Sequence, residues 1–89
     1  MVQYLKGEIM ENKIAVVAII VSDEKSVEKV NATLHEYRDN IVGRMGLPHQ
    51  RDNISVISVV MDAPQELING LSGKLGMISG VKSKVLTTK

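Results

Sequence analysis

Residues 14–21, IAVVAIIV, form an unbroken run of β-branched and small apolar side chains with polar residues at both ends. Residues 54–61, ISVISVVM, have the same character, interrupted only by serines. Strands that are covered on both faces have continuous apolar runs of this kind, whereas half-exposed strands alternate. The two runs therefore predict two central strands, and the rest of the chain is interpreted around them.

The composition limits what these strands can belong to. The chain has 89 residues, a formal net charge of +1 and no cysteine, which indicates one domain and excludes disulfides and thiolate metal sites. The balanced charge gives no electrostatic case for nucleic acid binding. The longest apolar run is far shorter than the roughly 20 residues of a membrane span, and no signal peptide is visible. We therefore expect a cytoplasmic protein that binds neither nucleic acid nor membrane.

An amphipathic helix is expected after each run. Ser22 or Asp23 can accept hydrogen bonds at the start of the first helix, whose apolar residues recur every 3 or 4 positions until about residues 38–40. Asp62 or Ala63 is the candidate cap for the second helix, with Pro64 in its first turn, where a missing N–H costs nothing. The expected order is thus strand, helix, then a second strand–helix unit.

Two weaker strands complete the pattern. Residues 41–47 are predicted to form a strand that Pro48 closes, followed by a polar loop over residues 48–53. The two glycines of this strand suggest a bulge or a close approach of another backbone. Residues 81–86 alternate as a half-buried edge strand with two lysines on one face. Strict alternation in the first of these strands would place four residues on one face: Ile41, Gly43, Met45 and Leu47.

The amino-terminal segment lacks such a pattern. Residues 1–12 show no clear period and are predicted to be a loose arm, so that residues 13–89 form the single domain. Tyr4, Leu5 and Ile9 could instead dock on a neighbouring molecule.

The element order predicts an α+β fold, the ferredoxin-like βαββαβ sandwich with an antiparallel sheet and both helices on one face. A sheet covered on one face should alternate, yet the central runs are apolar on both. Roughly six apolar side chains would stay uncovered, at about 1.5–3 kcal/mol each when buried. We therefore expect a homo-oligomer in which another copy covers the sheet, the alternative being cover by the arm.

Chemical motifs are sparse. His35 and His49 are the two histidines, which is fewer than the usual four ligands of a structural metal site within one chain. They are more consistent with solvent-facing side chains, although ligands could assemble between protomers. The serines have no obvious histidine and acid partners, and Asp62 is better explained as a helix cap than as a general base. We expect no catalytic residue and no cofactor.

Arg44 is the best candidate for a ligand or interface group. It lies among Gly43, Met45 and Gly46, so its guanidinium is accessible and can hold a carboxylate or phosphate in a forked geometry. The alternative is an edge-strand arginine in solvent or in a surface ion pair.

A second candidate contact lies in the second helix, near Gly73 and Gly76. Close packing is expected on the flank formed by Gly70, Gly73 and Met77. The alternative is that Gly76 simply ends the helix and Gly70 lets it lie tight on the sheet.

Six segments of the chain have the residues of a known protein family: 14–21, 26–31, 34–37, 41–48, 57–64 and 71–81. Among them, Gly43-Arg44-Met45-Gly46 and Gly73-Lys74-Leu75-Gly76 are fairly specific blocks. In these segments, which are spread along residues 13–86, the chain resembles the iron-only (FeFe) hydrogenase system regulators of anaerobic bacteria. That family is similar in fold to ACT domains and to the carboxy-terminal domain of nickel-responsive repressors, which oligomerise through their sheets.

The resemblance implies a regulatory, non-enzymatic role in hydrogenase expression or maturation, through a small effector or a hydrogenase-system protein. The ligands of these two related folds cannot be assigned to this chain, because their binding residues are absent from it. ACT domains often place a glycine after the first strand, where this chain has Ser22, and the nickel repressors use several histidines and a cysteine. Two other functions stay open: an interface metal sensor using His35 or His49, and a small enzyme such as an acylphosphatase, for which no matching arginine and asparagine block exists.

Overall fold

A computed structural model describes the backbone of residues 2–5 and 8–88, and the side chains of residues 11–48 and 51–88. The elements, in chain order, are β1 (Val2–Leu5), β2 (Glu8–Val21), α1 (Val27–Glu36), β3 (Ile41–Arg51), β4 (Ile54–Pro64), α2 (Gln65–Gly76) and β5 (Val81–Thr87). Short 3₁₀ turns, Glu24–Ser26 and Arg38–Asn40, flank α1. Neither α-helix of this described part is long and apolar enough to cross a membrane.

The main sheet has the strand order β3-β4-β2-β5, and every pair in it is antiparallel. The two apolar runs, now β2 and β4, are its central strands, and the glycine-containing and lysine-containing strands are its edges. This arrangement confirms the predicted ferredoxin-like α+β fold.

In the amino-terminal segment, residues 2–5 and 8–12 are extended backbone. Val2–Leu5 pairs with Glu8–Glu11 in an antiparallel ladder, so β2 begins well before the apolar run. A loose arm over residues 1–12 stays a prediction. The side chains of Tyr4, Leu5 and Ile9 lie outside the described residues. A domain boundary at residue 13 stays a prediction.

The core forms between one face of the sheet and the two helices. From Ala15 to Val21 in β2 and from Ser55 to Ala63 in β4, every second residue is buried, as the period of a strand requires. These residues pack with the apolar stripes of both helices. The buried apolar set is Ala15, Val17, Ile19, Val21, Val30, Leu34, Ile57, Val59, Met61, Ala63, Ile68, Leu71 and Leu75.

The opposite side of the sheet, here called the open face, has none of the helices of residues 2–5 and 8–88 over it. Paired residues of antiparallel strands share a face, so the registers assign its members strand by strand. They are Gly43, Met45 and Leu47 of β3; Val56, Ser58, Val60 and Asp62 of β4; Ile14, Val16, Ala18 and Ile20 of β2; and Lys82, Lys84 and Leu86 of β5.

The β3–β4 hairpin differs from the prediction in two ways. Pro48 does not close the strand, because β3 continues to Arg51 and turns at Asp52 and Asn53, which have φ of 51° and 63°. Two consecutive left-handed residues are typical of a tight type I′ hairpin turn. The predicted six-residue loop is therefore a two-residue turn, and an edge strand tolerates the proline.

The predicted bulge is present in β3. Ile41 pairs with Met61 and Gly43 with Val60, so one extra residue is inserted at this point. The bulge reverses the alternation, so Ile41 packs against the core while Gly43 lies on the open face. The predicted common face for the four odd-numbered residues is thus wrong at Ile41.

The predicted Asp23 cap is found on the 3₁₀ turn that leads into α1, whose own N-cap, Ser26, makes no side-chain hydrogen bond. The side chain of Asp23 accepts a hydrogen bond from the backbone N–H of Lys25, 3.0 Å away. The predicted cap of the second helix is wrong. Asp62 does not cap α2, because β4 continues through it to Pro64, and Pro64 is the capping position without a side-chain hydrogen bond.

Candidate functional site

The open face is mainly apolar, and its side chains form rows that run across the four strands. One row runs Met45, Ser58, Ala18, Lys84; the next runs Leu47, Val56, Ile20, Lys82; a third runs Gly43, Val60, Val16, Leu86. Ile20 is 45% exposed and Leu86 73% exposed. Charge is confined in these rows to the two lysines of the β5 edge, beside which an open cleft of about 480 Å³ borders Ala18 and Ile20.

The structure separates the four predicted site residues of β3. Arg44 pairs with Val59 and Gly46 with Ile57, both of which face the helices, whereas Gly43 and Met45 pair with open-face residues. Met45 is 60% exposed there. Consecutive strand residues point to opposite faces, so Arg44 and Met45 cannot belong to one pocket of a single chain.

Arg44 is tethered to the first helix. Its Nη2 donates to Oδ1 of Asn31, 2.7 Å away, at an exposed position. The two side chains border a small cleft of about 170 Å³ between α1 and the β3 edge, which Val27, Gly46, Pro48 and Ser55 also line. The cleft combines an apolar wall with one guanidinium, which suits a small ligand with a carboxylate or phosphate group.

Gly73 and Gly76 lie exposed in the second half of α2, and a Cβ on either would meet nothing within 4 Å. Close packing is found instead at Gly70, where a Cβ would lie 2.9 Å from Oη of Tyr37. Tyr37 itself lies under Lys74, whose Nζ is 5.2 Å from the ring centroid and 2.7 Å from Oε1 of Glu36. The described contacts thus join α2 to α1 through this group.

A wider cleft was not predicted from the sequence. It has a volume of about 810 Å³ and lies between the β2–α1 loop and the β3–β4 turn, where Asp23, Glu24, Glu28 and Asp52 supply carboxylates and Lys25 an ammonium. Only the tertiary fold brings residue 52 to residue 23, so no local pattern could have indicated it.

The histidines do not form a visible centre. His35 is exposed on α1, and the side chain of His49 lies outside the described residues. Within the described residues, no group of three or more histidine, cysteine, aspartate or glutamate side chains could hold a metal ion.

Comparisons with known proteins agree with this fold. A family model described as "TM1266-like: Iron-only hydrogenase system regulator, putative" matches residues 13–85. The solved structure of the uncharacterized protein TM1266 from Thermotoga maritima is 36% identical, with a TM-score of 0.83, over 89% of this chain and 100% of that chain.

A more distant structure is that of CPII bound to ADP, AMP and acetate, from Thiomonas intermedia K12. It is 15% identical, with a TM-score of 0.45, over 90% of this chain and 91% of that chain, and a likeness of this size carries no argument. A comparison with curated proteins finds no match. The family model and the Thermotoga structure each cover most of the chain, and on that basis this protein belongs to the TM1266-like family of iron-only hydrogenase system regulators.

Proposed function

We propose that this chain is a homo-oligomeric, non-enzymatic regulatory module with an ACT-like fold, acting in the cytoplasm on the iron-only hydrogenase system. It works by binding a small effector or a protein of that system. The single observation that carries the self-association is the open face, an apolar sheet surface that no helix of the described residues covers. The regulatory role is supported by the family to which the chain belongs.

The free energy of burying the exposed apolar side chains of the open face favours self-association. Its large apolar side chains are already packed against their neighbours, and the exposed fraction of those most open to solvent ranges from 38% for Val16 to 73% for Leu86. Covering what remains exposed is worth on the order of 6 kcal/mol per copy. That is comparable with the whole free energy of unfolding of a small domain, about 5–15 kcal/mol.

The area of the open face is also sufficient. Four strands about 4.8 Å apart, over eight residues at about 3.3 Å each, give about 500 Å² per copy. Two copies would bury about 1,000 Å² in total, which is the lower limit for a specific interface. A stable dimer is therefore expected, with the exposed apolar rows as its centre.

The Arg44 cleft is the proposed effector site. Its guanidinium is held by Asn31 at 2.7 Å, so little side-chain freedom is lost when an anion binds. Arginine can contact a carboxylate or phosphate through two parallel hydrogen bonds, whereas lysine offers a point charge. The ligand class is thus a small molecule with one such group and a short apolar part.

A complementation experiment tests the regulatory role. The gene is disrupted in a host that makes an iron-only hydrogenase, and hydrogen evolution and hydrogenase transcript are measured with wild type or variants restored. Wild type should restore the original level, and Ile20→Lys, which puts a charge in the middle of the open face, should not. Met77→Lys is the matched control, because Met77 is 88% exposed at the end of α2. An unchanged hydrogenase phenotype in the disrupted strain would contradict the proposal.

The effector site is tested separately by thermal shift with acetate, succinate and inorganic phosphate. A stabilisation that depends on Arg44 should disappear in Arg44→Ala and weaken in Arg44→Lys. Shifts that are equal in wild type and both variants would place the effector elsewhere.

A further inference from the structure

We infer that two copies pack open face to open face about a two-fold axis that runs along the strands, so that the β5 edge of each copy covers the β3 edge of the other. This inference rests on the self-association proposed above and adds the orientation of the partner.

An isologous pair of aligned sheets has two simple solutions. When the axis runs along the strands, the strand order of the partner is reversed, and β5 meets β3 while β2 meets β4. When the axis runs across the strands within the plane of the sheets, each strand meets its own copy, and β5 meets β5.

The charges of the edges favour the first solution. Lys82 and Lys84 are consecutive open-face residues of β5, so an axis across the strands would stack two lysines on two lysines. Like charges set against each other in an interface are strongly unfavourable. The open face of β3 offers Met45 and Leu47 instead, along which lysine stems can lie while their ammonium groups reach water.

The shapes of the edges favour the same solution. Leu86 is 73% exposed and stands in the row that ends at Gly43 on the opposite edge. A Cβ on Gly43 would meet nothing within 4 Å, so this position is a gap in the surface. With the axis along the strands, each row lies opposite the same row of the second copy, read in the opposite strand order. Leu86 of each copy therefore lies over Gly43 of the other.

The central strands fit this arrangement as well. Val16 and Ile20 of β2 would face Val60 and Val56 of the second copy's β4, because those residues share the same rows. In the middle row, Ser58 would face Ala18 of the second copy, with these apolar pairs on either side of it. The centre of the interface is then mainly apolar and the lysines lie at its rim, as in known interfaces.

A charge exchange between the edges tests the orientation. Met45→Lys should raise the dissociation constant of the dimer roughly tenfold or more, because it puts a positive charge against Lys84 of the second copy. Adding Lys84→Glu in the same chain should recover most of that loss. Sedimentation equilibrium at low salt measures both, with far-UV circular dichroism as the check on folding. Equal dissociation constants for Met45→Lys with and without Lys84→Glu would overturn the orientation.

Chemical cross-linking gives an independent readout, and the absence of cysteine from the chain makes it unambiguous. Facing sheets lie about 10 Å apart, which a short bis-maleimide spans. Met45→Cys chains mixed with Lys84→Cys chains should give a covalent dimer, and Lys84→Cys chains alone should not. Efficient cross-linking of Lys84→Cys alone contradicts the orientation while leaving self-association intact. A wild-type protein that is monomeric contradicts the proposed function itself.

Discussion

Gly80 packs directly on Asp23, and a Cβ added to the glycine would lie 2.7 Å from the Cβ of the aspartate. Gly80 has a φ of 74°, and its carbonyl oxygen accepts from the backbone N–H of Ser22 at 2.8 Å and from its Oγ at 3.1 Å. The loop before α1 and the turn after α2 are thereby joined at one end of the sheet.

Gly80→Ala is expected to lower the free energy of unfolding by about 2 to 3 kcal/mol, because the left-handed backbone and the overlap with Asp23 both oppose a side chain. Gly76→Ala is the control, since a Cβ there meets nothing within 4 Å. Urea denaturation at one fixed protein concentration measures both. Equal stability of the two variants would show that the two loops do not pack in this way.

Gly70→Ala should not give the stabilisation that alanine usually brings to a helix, about 1 kcal/mol. The new Cβ would lie 2.9 Å from Oη of Tyr37, whereas Gly73→Ala meets no neighbour within 4 Å and should give the full gain. Combining Gly70→Ala with Tyr37→Phe removes the obstructing oxygen and should recover the gain. A stabilisation by Gly70→Ala alone, equal to that by Gly73→Ala, would refute the contact.

The hairpin turn gives a backbone test. Asn53 has a φ of 63°, which asparagine and glycine tolerate and β-branched residues do not. Asn53→Gly should leave the free energy of unfolding unchanged or raise it slightly, and Asn53→Val should lower it by about 1 to 2 kcal/mol. If valine were tolerated as well as glycine, the turn would have another geometry.

Lys74 should make stability depend on pH in the alkaline range. Its hydrogen bond to Glu36, followed by that to Tyr37, raises the pKa of Lys74 above its ordinary 10.5. A cation whose pKa is higher in the folded state contributes stability fully below pH 10.5, and this contribution disappears as the pH rises through the raised pKa. Lys74→Gln should therefore lose less stability than wild type above pH 10.5.

Glu36→Gln removes the main partner of that ammonium and should behave like Lys74→Gln in the same pH series. Parallel stability curves for wild type and both variants above pH 10.5 would show that the ion pair, which is half-exposed, does not persist in solution.

The two central strands of the sheet could be predicted from the pattern of apolar residues alone. Val17 is buried against the helices and Val16 is on the open face, yet both are apolar, and that lack of alternation indicated strands with two apolar faces. The same reasoning predicted which strands are central, because only β2 and β4 carry such runs.

The remainder depended on local backbone conformations that single residues do not signal. Pro48 reads as a strand end, but β3 is an edge, where its missing N–H breaks no central ladder. Asp62 has the chemistry of a helix cap, but its pairing with Ile14 keeps it in β4. In both cases the position of the strand within the sheet, and not the residue type, determined whether the strand continued.

The sequence could indicate which segment holds the candidate site, but not which face of the sheet each of its residues occupies. The alternation of a strand shows which residues share a face, counted from a starting residue. The bulge near Ile41 inserts one residue and so reverses the faces of all residues after it in the strand. Arg44 therefore lies on the helix side next to Asn31, while Met45 lies on the open face. The bond between Arg44 and Asn31 joins residues 13 positions apart, which no local pattern reveals.

Static light scattering of the unmodified wild-type protein at micromolar concentration tests the central claim most directly. An open face that is covered by a second copy predicts a mass of at least twice the 9.7 kDa of the chain. A mass of 9.7 kDa that does not change with concentration would mean that the apolar rows of this sheet remain in water, and would contradict the account.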